Sequence, residues 1–72
     1  MVEIFKTDVK SRIRSKKIIA MLNKSFPSYK INFDLDDCDK ILRIESQNDN
    51  IDIESIIKIV RRSSVEIDFI PD

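Results

Sequence analysis

The 72-residue chain has no glycine, no histidine, a single cysteine and two prolines. Without glycine, the tight backbone loops that cradle phosphate groups are excluded, since those loops turn where a Cβ would clash. Without histidine and with Cys38 alone, the usual zinc and copper ligand sets cannot be assembled within one chain. Cys38 has no intramolecular disulfide partner either, which agrees with a reducing compartment. No serine or cysteine stands beside a recognisable base, so a non-enzyme is expected. Nothing approaches the roughly 20 apolar residues that span a bilayer, and the opening MVEIFKTD is not a secretory signal. No membrane insertion is expected, and a cytoplasmic location follows as the default.

Hydrophobic residues make up 42% of the chain, mostly Ile, Val, Leu and Phe, enough for a core in one domain spanning residues 1 to 72. The net charge is zero but unevenly spread. Residues 1 to 30 carry eight Lys/Arg against two acids, a net of +6, whereas residues 31 to 72 carry five against eleven, a net of −6. Such a split can pair within one molecule, between two copies in a homodimer, or with a charged partner.

Residues 2 to 9 alternate as a strand, with Val2 and Ile4 expected on the covered face and Glu3 and Phe5 opposite. From about Ile13 the period becomes helical, with Ile18, Met21, Leu22, Ser25 and Phe26 at intervals of three and four, until Pro27 ends a helix of about residues 12 to 25. KINFDLDD puts Ile31, Phe33 and Leu35 on one face, and KILRIES puts Leu42 and Ile44 on one face. The short polar DDCD link predicts an antiparallel hairpin. After SQNDN, Asp52 can cap a second helix, IESIIKIVRR, striped by Ile53, Ile56, Ile57 and Val60. VEIDFI closes as a strand with Val65, Ile67 and Phe69 inward. Two helices with one apolar stripe each can both be buried only on the same face of a four-stranded antiparallel sheet. The expected fold is therefore α+β, a ferredoxin-like βαββαβ sandwich with the first and third strands central.

The strand EIFKTDV, the Ile18/Leu22 spacing, the turn FPSY in place of one of the LPGV kind, a second strand ending FDLDD and the helix ESIIKIV occur in an order that resembles the heavy-metal-associated (HMA) domain. That domain forms small copper chaperones and the N-terminal repeats of metal-transporting P-type ATPases. The resemblance covers essentially the whole chain and implies the same ferredoxin-like fold. It also implies a soft-metal site, two cysteines spaced CxxC after Gly-Met-Thr or similar. Here those cysteines would fall at Ser11 and Arg14, or one position later at Arg12 and Ser15. Asp8 or Val9 stands at the glycine position and Val9 or Lys10 at the methionine position. At the last strand, Ser64 and Val65 replace the Gly-aromatic pair of many members. With no thiol in either register, the metal activity does not transfer, and no cofactor is expected.

The run KSRIRSKK lies where that metal loop would be. Lys10, Arg12, Arg14, Lys16 and Lys17 crowd the start of a helix, the end whose dipole repels cations but whose free N–H groups favour an anion. One reading makes it a docking site for an acidic protein or small anion, gripped by arginine; the resemblance adds that metallochaperone domains dock partners around the metal loop. The competing reading is a solvated basic turn. A second candidate, DLDDCDK, carries Asp34, Asp36, Asp37 and Asp39 around Cys38. It could hold a metal between two copies, but it lacks the glycine and distant glutamate of a calcium loop and reads better as a polar hairpin turn.

The open sheet face is expected to carry Glu3, Phe5, Asn32, Asp34, Ile41, Arg43, Glu45, Glu66 and Asp68. With one aromatic and an acidic lean, it argues against RNA or other nucleic acid stacking there. Phe5 beside Ile41 would make a small apolar spot for a protein partner. A ligand-sensing domain of the amino-acid-binding type shares the topology, but its ligand loops use glycine.

Overall fold

The structure is a computed structural model describing residues 1–34, 40–47 and 50–71. The elements run β1 (Val2–Thr7), α1 (Arg12–Ser25), β2 (Lys30–Asp34), β3 (Ile41–Glu45), α2 (Ile53–Arg61) and β4 (Ile67–Ile70). The strands form one antiparallel sheet in the order β2-β3-β1-β4, so β1 and β3 are central and β2 and β4 are edges. This is the ferredoxin-like α+β arrangement expected from the order of periodicities.

Each helix starts at a side chain that accepts one of its unpaired N–H groups. For α1 this is Ser11, whose Oγ accepts from the Arg14 amide at 3.4 Å. For α2 it is Asp52, whose carboxylate accepts from the Ser55 amide at 3.1 Å and the Ser55 hydroxyl at 2.8 Å. Those two bonds, the hydroxyl bond first, hold the Asp52 carboxyl below its ordinary pKa. Between α1 and β2 the FPSY turn is fastened by a stacked Phe26–Tyr29 pair, with ring centroids 4.9 Å apart. The Tyr29 hydroxyl donates to the Asn50 carbonyl at 3.3 Å and accepts from the Asp52 amide at 3.1 Å, so the turn also anchors the start of α2.

The helices bury Ile18, Leu22, Ile56 and Val60 against Phe5, Leu42, Ile44 and Ile67 of the sheet. The alternation expected for the first strand is inverted. Phe5 is fully buried, tilted against Phe69 with centroids 5.5 Å apart, and Glu3 pairs with buried Ile44. Val2 and Ile4 therefore share a face with Lys6, away from the helices. Both faces of this strand offer apolar residues; what separates them is that Lys6 would be sealed in the core in the other register, at a large desolvation cost. Glu3 meets the same problem less severely, because it lies near the strand's start and stays half exposed.

With no glycine in the chain, non-glycine residues take the left-handed backbone at Lys40 (φ 49°) and Ser64 (φ 60°). Ser64 follows α2, where its amide donates to the Arg61 carbonyl at 3.0 Å and closes the helix. Among the described residues, no helix is long and apolar enough to cross a membrane.

Candidate basic site at the start of α1

The five cations of KSRIRSKK are all exposed, but the helix distributes them. Ser15, Ile18 and Leu22 define the buried side of α1. At 3.6 residues per turn, Arg12 and Lys16 then flank it on the side of β2, Arg14 flanks it on the side of α2, and Ile13 and Lys17 point outward. Arg14 is engaged: its guanidinium donates to the Ser63 carbonyl at 3.4 Å, just beyond the C-terminal end of α2, where the helix dipole favours a cation. Ile13 is 71% exposed beside Lys17, an apolar residue inside a charged patch.

No acid lies in the first turn of α1, and among the described residues none of the five cations makes an ion pair. The two halves of the charge split do meet elsewhere, at a surface pair of Lys30 and Glu45 4.0 Å apart. At the start of α1 the dipole is therefore opposed by cations, a cost of about 0.3 to 1 kcal/mol for each charge near the terminus.

Neither register of the would-be metal loop suits a soft cation. In the first, the Ser11 hydroxyl caps the helix and Arg14 carries a positive charge. In the second, Ser15 is buried and its hydroxyl donates to the Arg12 carbonyl at 2.8 Å. The preceding loop is fixed by its own contacts: the Asp8 carboxylate accepts from the Glu66 amide at 3.0 Å, and Val9 is buried. Among the described residues, no group of three or more Cys, Asp or Glu could hold a metal. Cys38, with Asp36, Asp37 and Asp39, lies outside the described residues.

The open sheet face differs from the expected one because of the inverted β1. Phe5 leaves it for the core, so the apolar spot with Ile41 does not form as expected. Ile4 takes the centre instead, paired with Arg43 on one side and Ile70 on the other. Lys6, Lys30 and Arg43 balance Asp34, Glu45 and Asp68 on this face, so its strand residues do not lean acidic. They include no aromatic residue for base stacking.

A cavity of about 320 Å³ was not anticipated from the sequence. It lies between α1 and β2 and is lined by Arg12, Ser15, Lys16, Ile19, Asn32, Phe33 and Asp34. Only the antiparallel packing of α1 beside β2 brings these two segments together.

No protein-family model matches the chain, and no curated protein sequence matches it significantly.

Proposed function

We propose that this chain is a small, non-catalytic HMA-like binding module that lacks the CxxC metal site and docks an acidic partner through the loop and first turns of α1. The observation that carries the reading is the exposed group of Lys10, Arg12, Lys16 and Lys17, set at a helix terminus with no described carboxylate neutralising it. A helix start is where cations stabilise the fold least, so their concentration there suits an external anion better than internal stability. The βαββαβ order supports the HMA-like part of the reading. So does the left-handed backbone at Ser64, the position where the resemblance implies a glycine. A cytoplasmic setting belongs to the proposal, since a lone thiol suits a reducing compartment.

The test is titration of a fluorescent oligo-glutamate peptide, followed by polarisation at low and physiological ionic strength. Binding that weakens with salt and is abolished in the triple variant Arg12→Glu, Arg14→Glu, Lys16→Glu is the expected result. Circular dichroism verifies that the variant folds. Binding unchanged in a folded triple variant would remove the basic run from the function.

A further inference from the structure

We infer that the cavity between α1 and β2 receives an extended acidic segment of a partner protein, which adds as a fifth strand along the outer edge of β2; this deepens the docking reading above and rests on it. The cavity touches Phe33, which points toward the helices, and also Asn32 and Asp34, which point to the opposite face of the sheet. A space lined by three consecutive residues of β2 together with the flank of α1 beside them lies along that strand's edge. Among the described residues, no strand pairs with β2 on the side away from β3. Alternate backbone N–H and C=O groups of its five residues are thus directed outward, as in other sheets extended by a peptide.

Charge chooses both the edge and the guest. Beside β2 stand Arg12 and Lys16, one helical turn apart, with Ile19 a further turn along the same flank. The other edge, β4, is bordered by Glu66 and Asp68 with Arg61 the one cation lining the same space, and is followed directly by Pro71, so it suits an acidic strand less well than β2 does. Side chains on one face of a strand recur about every 6.8 Å, close to the roughly 6 Å rise between Arg12 and Lys16. A segment with acids at two alternate positions, followed by an apolar residue at the next, would face Arg12, Lys16 and then Ile19 with Phe33. Asp34 is the one unfavourable charge in the groove, and it gives the proposal a second handle.

The experiment uses the full chain and a synthetic peptide with glutamate at two alternate positions and an apolar residue at the next, against two versions N-methylated on alternate backbone amides in opposite phase. N-methylation removes strand hydrogen bonds in one phase and leaves the peptide's charge untouched in both. The expected result is that one phase loses about tenfold or more in affinity while the other binds nearly as the parent, because one phase directs its amides at β2 and the other directs them at solvent. Asp34→Asn is expected to tighten binding of the parent peptide severalfold. If both N-methylated peptides bind like the parent, or Asp34→Asn has no effect, strand addition at β2 is wrong while charge docking on α1 stands. If Arg12→Glu with Lys16→Glu leaves the parent peptide bound as before, the docking reading falls together with this one.

Discussion

Replacing Phe5 with alanine, beside Ile4→Thr on the same strand, measures which face of β1 is in the core. Phe5 is fully buried, in a central strand, opposite Leu42 and tilted onto Phe69. A phenylalanine buries about 150 to 200 Å², so at about 25 cal/mol per Å² its burial is worth at most roughly 4 to 5 kcal/mol. Truncation to alanine keeps the Cβ but leaves a cavity in a small core, which brings the expected loss to about 3 to 5 kcal/mol. The tilted pair with Phe69 accounts for about 1 kcal/mol of that. A chain of 72 residues has a total stability on the order of 4 to 11 kcal/mol. Phe5→Ala therefore removes about a quarter of it or more. Ile4 lies on the uncovered face, where Thr keeps the β-branch, so that change is expected to cost about 1 kcal/mol or less. The assay is urea unfolding followed by circular dichroism. With a slope near 1 kcal/mol per M for a domain this small, Phe5→Ala lowers the midpoint by about 3 to 5 M and Ile4→Thr by less than about 1 M. Should Phe5→Ala have its native signal already lost in water, Phe5→Leu supplies a milder cavity. An Ile4→Thr loss equal to or larger than that of the Phe5 variants would refute the register and restore the opposite face.

Ser64→Gly is expected to raise stability by about 0.5 to 1 kcal/mol, a few degrees in Tm, because glycine takes the left-handed backbone without the Cβ clash; Ser64→Val should lower it, and thermal melts rank the three. Asp52→Ala removes the cap of α2 and should lower Tm, whereas Asp52→Asn caps comparably and should stay near the parent at neutral pH. Because the folded Asp52 carboxyl lies below its ordinary value of 3.8, its stabilisation is present above that pH and disappears as pH falls through the lower folded value. The parent should thus lose its advantage over Asp52→Ala in acid, and the gap between their pH-dependent melts checks this. Metal analysis of protein purified under reducing conditions should find no stoichiometric copper or zinc; metal that is present in the parent and absent from Cys38→Ser would reverse the metal-free reading.

Two signals carried most of the fold in one dimension. The helical spacing of Ile18, Leu22, Ile56 and Val60, with Pro27 ending the first helix and Asp52 capping the second, indicates where each helix lies, because caps and breakers act within a few residues. The β3 faces were equally legible, since Leu42 and Ile44 alternate with Arg43 and Glu45 and only one register hides the apolar pair. β1 was not legible in this way. It carries apolar residues on both faces, and the choice between them depends on which one the helices cover.

The concentration of cations in KSRIRSKK, and the absence of thiols there, followed from residue order alone. How those cations divide did not, because it depends on which side of α1 is buried and on what packs beside it. Arg14 turns to the end of α2, while Arg12 and Lys16 turn to the edge of β2, across a gap that joins residues 12 to 19 with residues 32 to 34. Local periodicity specifies which residues share a helix face. Only the packing of one element on another specifies what that face meets, so the composition of the basic run was readable from the chain and its groove was a product of the fold.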